Sequence, residues 1–320
     1  MVCCGSPAFP RSKETSMPLA STLLPVALAI VMFGLGLTLT LADFTRVVRF
    51  PKAVFVALAC QIIVLPLLTF GIVALSGLPP LLAIGMMLIV SAPGGAIANV
   101  LSHIFGGDVA LNISLTAVNS VTAIFTIPLI VNLSIAYFDP SGGQIGLQFQ
   151  KTLEVTVMVL GPVVLGMLIR RFATRFALAM DKPVRIVSMI ILAAVITLTV
   201  IGNLAVLAAN LGPLLLLALL ICVMSLLVGF FVPRLFRVSP AQSLASSLEI
   251  GLHNATIALV IGQVVLANPV IAVPAAVYGP VSIVLGLVAA IVFRSVIRRT
   301  AGDPAPQAAS EPEPDVTVEA

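Results

Sequence analysis

The stretch from residue 80 to residue 104, PLLAIGMMLIVSAPGGAIANVLSHI, decides the fold class of this chain. It is long and apolar enough to cross the ~30 Å hydrocarbon core of a bilayer as a helix. Its middle, however, contains Pro93, Gly94 and Gly95. Proline removes a backbone donor and glycine loosens a helix, so backbone groups are freed at a depth where water is scarce. We therefore predict a membrane-spanning helix that is broken near Pro93.

A second apolar segment, residues 241–265, has a comparable break. Its middle reads Glu249-Ile-Gly-Leu-His-Asn254, with Gly251 between strongly polar side chains. Two broken segments, one in each half of a chain, are typical of a transporter whose binding site lies at membrane depth. The alternative is a pair of ordinary proline or glycine kinks, which membrane helices tolerate.

The composition places the whole chain in a membrane. Of its 320 residues, 60% are hydrophobic and 9% are charged, whereas soluble domains carry about 25% charged residues. We predict an all-α integral membrane protein with nine transmembrane helices, at residues 19–41, 53–76, 80–104, 109–136, 152–170, 186–208, 212–233, 241–265 and 270–294. Residues 1–17 are then an extramembrane N-terminal tail, residues 18–299 the transmembrane transporter domain, and residues 300–320 a disordered cytoplasmic tail rich in proline and acid.

Lysine and arginine are distributed unevenly between the predicted loops. With nine spans, 13 of the 16 lie on the side of the C-terminus: Arg46, Arg49, Lys52, Arg170, Arg171, Arg175, Lys182, Arg185, Arg234, Arg237, Arg294, Arg298 and Arg299. The positive-inside rule then predicts a multi-pass protein of the cell (inner) membrane, with its C-terminus in the cytoplasm and its N-terminus outside. The basic net charge has the same origin and does not indicate binding to nucleic acid.

Glu249 is the only acidic residue predicted at mid-membrane depth. An ionised side chain there costs about 2.5–3.5 kcal/mol on insertion scales. Glu249 therefore needs a cation, a proton or several hydrogen bonds. The alternative is a structural glutamate that is protonated or hydrogen-bonded within the protein.

Neutral side chains that carry oxygen accompany this carboxylate. Asn112, Thr116 and Asn119 fall at i, i+4 and i+7, on one face of a predicted helix, and Asn99 and Gln61 are further amides within spans. Amide, hydroxyl and carboxylate oxygens are the ligands that hard cations such as sodium prefer. The same side chains could instead form ordinary hydrogen bonds between helices.

Three sequence motifs occur in register along the chain. They are Met32-Phe-Gly-Leu-Gly-Leu-Thr-Leu39 with Asp43-Phe44, Pro93-Gly-Gly-Ala-Ile-Ala-Asn-Val100 with Asp108-Val-Ala-Leu111 and Thr116, and Glu249-Ile-Gly-Leu-His-Asn254. At these motifs the chain resembles the bile acid:sodium symporter family, in its nine-helix bacterial-type form. The resemblance implies inverted repeats, with two broken helices crossing near the midplane. It also implies a core domain (residues 53–136 and 212–294) that moves against a panel domain (residues 19–41 and 152–208) to give alternating access.

The resemblance further implies the residues that bind up to two coupling sodium ions. The first sodium site would use Asn99, Asn112, Thr116 and Glu249. The second would use Gln61, Glu249 and His253 with the backbone carbonyls of Ile250 and Leu252. The substrate would be contacted by Asn254, Ala96 and Asn119.

Three residues depart from the pattern of that family. Ala98 stands where the first site usually has a serine, and His253 stands where the second usually has a glutamine. Asn112 stands at a second serine position and keeps an oxygen. A histidine can bind a cation only when it is neutral, and it can also titrate. Both the number of sodium ions and the choice between sodium and proton coupling therefore stay open.

These features predict a secondary active transporter that couples sodium symport to the movement of an organic anion, either bile acid-like or a smaller carboxylate. The expected partners are that anion, sodium ions and the lipid bilayer. A proton-coupled or uncoupled carrier of organic anions on the same fold is the nearest alternative. A membrane-embedded enzyme is the alternative from another class, but no aspartate-rich metal motif or histidine cluster supports it, and we expect no enzymatic activity.

Overall fold

The computed structural model describes residues 17–46, 50–140 and 149–301, and within these ranges the chain is all-α, without a β-strand. In chain order the helices and π-helical turns are α1 (Met17–Thr38), α2 (Leu41–Arg46), α3 (Pro51–Ala59), π1 (Cys60–Val64), α4 (Leu65–Leu75), α5 (Pro80–Ser91), α6 (Ala96–Phe105), α7 (Val109–Phe138), α8 (Phe149–Phe172), α9 (Thr174–Gly202), α10 (Leu204–Leu235), α11 (Pro240–Gly251), α12 (Ala255–Val260), π2 (Ile261–Val265) and α13 (Pro269–Ala301). Apart from the helical residues Met17, Thr300 and Ala301, the two predicted tails lie outside the described residues.

Local sequence explains where several helices begin. Pro51, Pro80 and Pro240 stand in the first turns of α3, α5 and α11, where the missing N–H has no intrahelical partner to lose. The side chain of Asp108 caps α7 by accepting from the backbone N–H of Leu111 at 3.0 Å. Polar caps and prolines thus separate apolar segments that would otherwise merge.

The described residues include five helices that are long and apolar enough to cross a membrane: Pro51–Leu75, Val109–Phe138, Thr174–Gly202, Leu204–Leu235 and Pro269–Ile297. Three apolar helices are shorter, namely Leu28–Thr38, Pro80–Ser91 and Ala255–Val265. The chain is therefore a multi-pass membrane protein, as predicted. The count of nine spans remains a prediction.

The sixth predicted span is displaced in the structure. It was expected at residues 186–208, but α9 begins at Thr174 and ends at Gly202, and residues 204–208 belong to α10. Charged residues such as Arg175 and Lys182 are typical of a loop, yet here they lie exposed on the first turns of a helix. Long basic side chains can keep their charge in water while their helix continues toward the membrane.

The two broken helices lie at the centre of the molecule. Every residue of α5 from Leu82 to Ser91 is buried, as is every residue of α11 from Ser243 to Gly251. Helix α5 packs against α7 and α13, and α11 packs against α7, α10 and α13. Large exposed apolar side chains such as Phe125 and Leu216 lie on the surrounding helices, as expected of a surface that faces lipid.

Helices α1, α8 and α9 pack against one another. Gly36 in α1 and Gly166 in α8 allow two backbones to touch. A Cβ on Gly166 would lie 2.6 Å from the carbonyl oxygen of Phe33 and 2.8 Å from the carbonyl carbon of Gly36. Small residues at such points let membrane helices approach closely, so the glycine-rich motif at residues 32–39 has a packing role.

The order long helix, broken helix, long helix occurs twice in the described chain. The first set is α3–π1–α4, the pair α5 and α6, and α7. The second set is α10, α11 with α12–π2, and α13. This repeated order places one break in each half of the chain, as predicted, while the inverted relation between the halves remains an implication of the resemblance.

Candidate functional site

The two breaks meet through paired backbone groups. The N–H of Gly95 donates to the carbonyl of Leu252 at 2.8 Å, and the N–H of Asn254 donates to the carbonyl of Pro93 at 2.8 Å. Backbone groups that the two broken helices leave unpaired thus satisfy each other at membrane depth, as such groups must. The two predicted breaks are therefore adjacent in the structure, while the crossing of the two broken helices near the midplane stays a prediction.

Glu249 is completely buried near the end of α11. Its Oε1 accepts from the backbone N–H of Gly94 at 3.2 Å and from Nδ2 of Asn119 at 3.3 Å, and its Oε2 accepts from the Thr116 hydroxyl at 2.7 Å. All three donors are uncharged, so they orient the carboxylate without neutralising it. The hydrogen bonds satisfy the carboxyl oxygens, and a cation or a proton would in addition neutralise the charge.

Gly94 lies so close to Glu249 that no side chain fits there. A Cβ built on Gly94 would overlap the carboxyl carbon and both carboxyl oxygens of Glu249. The glycine therefore does more than break the helix, because it lets the backbone N–H reach the carboxylate.

Gln61 and His253 meet at the carbonyl oxygen of Ala92, just after α5. Nε2 of Gln61 donates to this oxygen at 3.2 Å and to the carbonyl of Val90 at 3.3 Å, and Nδ1 of His253 lies 3.2 Å from the same Ala92 oxygen. Because a carbonyl can only accept, the neutral imidazole carries its proton on Nδ1. Nε2 of His253 is then a lone-pair acceptor, and it is buried without a partner.

Several acceptors in this part of the molecule have no donor. They are buried amide oxygens, those of Gln61, Asn99, Asn112 and Asn119. Buried amide oxygens are normally hydrogen-bonded. Amide and carboxylate oxygens without charged partners are ligands that a hard cation prefers. The residues present therefore fit sodium, which would be cargo here and not a resident cofactor.

The structure places the predicted ligands of the first sodium site on three neighbouring elements. The Thr116 hydroxyl donates its one proton to Glu249, and its oxygen also lies 3.1 Å from the carbonyl oxygen of Asn112. Nδ2 of Asn112 donates to the hydroxyl of Ser102 at 2.6 Å. Asn99 lies on α6, which begins directly after the first break. Its side-chain oxygen Oδ1 has no hydrogen-bond donor.

The residues predicted to contact substrate have different surroundings. Asn119 donates to Glu249, so it belongs with the carboxylate in this structure. Oδ1 of Asn254 caps α12 by accepting from the N–H groups of Thr256 at 3.1 Å and Ile257 at 3.3 Å. Ala96 is the first residue of α6, and its side chain lies outside the described set.

The predicted carbonyl ligands of the second site lie on either side of Gly251. The carbonyl of Leu252 already accepts from Gly95, although a carbonyl oxygen has a second lone pair to offer. Ile250 is buried within the last turn of α11. Gln61 and His253 of this second set share the Ala92 carbonyl, just after the end of α5.

Sequence reasoning missed residues that hold these groups in position. Ser102 fixes the amide of Asn112. The Tyr278 hydroxyl donates to the carbonyl of Gly251 at 2.9 Å, and Sγ of Cys222 lies 3.7 Å from the same oxygen. The sequence shows these residues as polar side chains inside apolar segments. It does not show which groups they bind when, as for Tyr278 and Gly251, the partners are distant in sequence.

The fold and site define a class, that of multi-pass membrane proteins in which two interrupted helices pair at their breaks beside a buried carboxylate. A sequence profile of the "Sodium Bile acid symporter family" matches residues 25–210. That match covers more than half of the chain, and the protein belongs to this family. The family name is that of a transporter and not of an enzyme.

Individual relatives carry similar names. The chain is 31% identical over 274 residues to "Probable sodium/metabolite cotransporter BASS1, chloroplastic" of Arabidopsis thaliana, covering 84% of this chain and 66% of the relative. It is 27% identical to "Uncharacterized sodium-dependent transporter YocS" of Bacillus subtilis, over 81% of this chain and 78% of the relative. It is 31% identical to "Probable sodium/metabolite cotransporter BASS2, chloroplastic" of Oryza sativa, over 81% of this chain. The match spans 61% of that rice protein, so the chain covers about two thirds or less of each plant relative.

Proposed function

We propose that this protein is a sodium-coupled symporter of an organic anion, either bile acid-like or a smaller carboxylate. The observation that carries the proposal is the buried Glu249 carboxylate, which has only neutral donors while unpaired amide oxygens lie in the same part of the molecule. Up to two sodium ions would complete this set, the first with Asn99, Asn112, Thr116 and Glu249, and the second with Gln61, Glu249, Ile250, Leu252 and His253.

The anion would bind close to the same two breaks, at the helix ends that carry partial positive charge. The N-termini of α6 and of α12 begin beside the crossed backbones, at Ala96 and Ala255. The N-terminus of a helix carries partial positive charge and favours an anion. Oδ1 of Asn254 is engaged by its own helix, so Nδ2 of Asn254 is the group that would donate to a carboxylate.

Coupling follows from the proximity of these two sites. Without cations, the negative charge of Glu249 would repel an incoming anion. Sodium bound beside Glu249 would remove this repulsion, so the anion would bind more tightly once sodium is in place. By thermodynamic reciprocity, bound anion would tighten sodium binding by the same factor.

Transport would occur by alternating access within the membrane domain, residues 18–299. The core, residues 53–136 and 212–294, would move against a panel formed by residues 19–41 and 152–208. The mutual packing of α1, α8 and α9 supports a panel of this composition. In the cell (inner) membrane, with the C-terminus in the cytoplasm, the inward sodium gradient would drive uptake.

The test is uptake of radiolabelled carboxylates, from pyruvate-sized to bile acid-sized, into liposomes that contain the purified protein. We expect at least one anion to accumulate when an inward sodium gradient is imposed and not when choline replaces sodium. Accumulation that follows an inward proton gradient and ignores sodium would instead establish the proton-coupled alternative.

A further inference from the structure

The corner at which α8 meets α9 is strongly basic. We refer to residues 170–185 as the basic corner. It contains one acidic residue, Asp181, and five basic ones, which are Arg170, Arg171, Arg175, Lys182 and Arg185. Five positive charges therefore stand against one negative charge in a short segment. Charge of one sign at this density attracts a partner of the opposite charge.

The connection between the two helices brings these charges close together. Only Ala173 separates α8, which ends at Phe172, from α9, which begins at Thr174. The Thr174 hydroxyl donates to the carbonyl of Arg170 at 2.9 Å, and the N–H of Ala173 donates to the carbonyl of Ile169 at 2.8 Å. Three of the arginines therefore lie within six consecutive residues, on a connection that hydrogen bonds hold in place.

The basic side chains face outward without an acidic partner among the described side chains. Arg171, Arg175 and Lys182 are exposed, and no described carboxylate forms an ion pair with them. The side chains of Asp181 and Arg185 lie outside the described set. The positive charge of the three exposed side chains is therefore available to a ligand.

Large apolar side chains stand between these charges and are exposed as well. Phe172 is 78% exposed, and Phe176 and Leu178 are each more than half exposed. The guanidinium carbon of Arg171 lies 5.7 Å from the centroid of the Phe172 ring. Leaving such side chains in water is unfavourable, whereas helices that lie at a membrane surface combine Lys and Arg with Phe and Leu. The basic corner therefore fits a lipid surface better than bulk water.

The length of α9 places the basic corner at the level of the lipid headgroups. Helix α9 has 29 residues, and about 20 residues are enough to cross the hydrocarbon core. Residues 183–202 supply that length, so residues 174–182 extend beyond the core. Exposed apolar side chains continue on both sides of the corner, up to Leu168 on α8 and from Ile186 on α9. The basic corner therefore lies where the lipid-facing surface of both helices ends.

We propose that the basic corner binds the headgroups of anionic phospholipids in the leaflet that it faces. The guanidinium groups of Arg171 and Arg175 would bind phosphate oxygens, which suit the planar donors of arginine. The acyl chains of the same lipids would pack on Phe172 and Phe176. In the predicted orientation this is the cytoplasmic leaflet, whose anionic lipids attract basic clusters next to a membrane span. The inference goes beyond the proposed transport function and does not depend on it.

The experiment measures thermal unfolding of the purified protein in an uncharged detergent, titrated with short-chain phosphatidylglycerol or with short-chain phosphatidylcholine. Glycerol 3-phosphate at the same concentrations represents the headgroup without its acyl chains. Choline chloride sets the ionic strength, so that sodium is absent throughout. A ligand that binds the folded state raises the transition temperature. We expect phosphatidylglycerol to raise it more than either other compound, and the difference to shrink at high salt, which screens charges.

Three double variants locate the binding. The first is Arg171→Gln with Arg175→Gln, and the second, which keeps both charges, is Arg171→Lys with Arg175→Lys. The matched control, Lys52→Gln with Arg237→Gln, removes two exposed charges on the same predicted side of the membrane. In the first variant we expect the phosphatidylglycerol concentration at half effect to rise roughly tenfold, the order expected when two basic side chains near an anionic surface are lost. The lysine variant and the control should stay within about threefold of wild type.

The other outcomes overturn the inference. Equal stabilisation by phosphatidylcholine or by glycerol 3-phosphate means that the ligand is any lipid or a free phosphate compound. An unchanged half-effect concentration in the glutamine variant means that phosphatidylglycerol binds elsewhere, and an equal loss in the control means that only the total charge matters. If the transition temperature of wild type without lipid rises with protein concentration, and that of the glutamine variant does not, a second copy of the chain covers the corner instead.

Discussion

At the scale of single residues, the contact between Gly94 and Glu249 is the most constrained in the site. The carboxylate lies against the backbone of Gly94 and accepts its N–H at 3.2 Å. Thr116 and Asn119 approach the same carboxylate from α7. The position of the negative charge is therefore fixed by two elements that are distant in sequence.

We expect Gly94→Ala to displace this carboxylate, because the added Cβ would overlap it. Overpacking of this kind costs about 1–3 kcal/mol of folding stability. Sodium-dependent uptake should be lost or strongly reduced, and sodium should no longer raise the thermal transition. Gly71→Ala is the control, since a Cβ on Gly71 has no atom within 4 Å. Normal sodium dependence in Gly94→Ala would contradict the geometry described here.

We expect Tyr278→Phe to weaken the end of α11, because the buried Tyr278 hydroxyl donates to the carbonyl of Gly251 at 2.9 Å. A buried carbonyl that loses its donor costs about 1–3 kcal/mol. Thermal unfolding in detergent should show a lower transition temperature. The chain has two tyrosines, and the other supplies the control. Tyr137→Phe removes a hydroxyl from a side chain that is 59% exposed, and a loss of stability as large as that of Tyr278→Phe would count against the proposed role.

At the scale of elements, the breaks in the two central helices were predictable and the polar contacts around them were not. Pro93 with its glycines, and Gly251 amid polar residues, predict local unwinding. Proline removes a backbone hydrogen-bond donor and glycine loosens the helix, so the effect is local and can be read from the sequence. Glu249 was identifiable because it is an acid in an apolar segment. The contact of Asn119 with Glu249, in contrast, depends on the rotation of α7 about its axis, which the spacing of polar residues does not specify.

The start of α9 shows that the pattern of apolar residues does not fix where a helix begins. Arg175 and Lys182 interrupt the apolar pattern, so the sequence predicted a loop up to residue 186. Helix formation, however, requires only that backbone groups pair and that the charged ends reach water. Asn203, between α9 and α10, ends α9 with its side chain donating to the carbonyl of Thr199 at 2.9 Å, a boundary that the apolar run across residues 186–208 concealed.

The close contact of α1 with α8 leads to a matched pair of variants on one helix. We expect Gly166→Ala to destabilise the protein by about 1–3 kcal/mol, because its Cβ would press on the backbone of α1. Gly161→Ala, also on α8, should be neutral or stabilising, since a Cβ on Gly161 meets nothing within 4 Å. Thermal unfolding of both variants checks this. Equal stability of the two variants would mean that α1 and α8 are not in backbone contact.

At the scale of the whole molecule, the orientation in the membrane is a prediction from charge alone. The 13 to 3 division of lysine and arginine places the C-terminus in the cytoplasm. A fluorescent protein fused after residue 320 should fluoresce, and alkaline phosphatase at the same position should be inactive. Fusions after residue 140 should give the opposite pair of results. A C-terminal phosphatase that is active would reverse the assigned orientation.

In the proposed function, one buried carboxylate, that of Glu249, links the sodium gradient across the membrane to transport of an anion by the whole protein. The most direct test is uptake of the transported anion at fixed pH, with sodium replaced by choline, in wild type and in Glu249→Gln. Glutamine keeps the size of the side chain and removes its charge. We expect strong sodium dependence in wild type and loss of sodium-dependent uptake in Glu249→Gln. Wild-type uptake that ignores sodium, or full sodium-dependent uptake by Glu249→Gln, would contradict it.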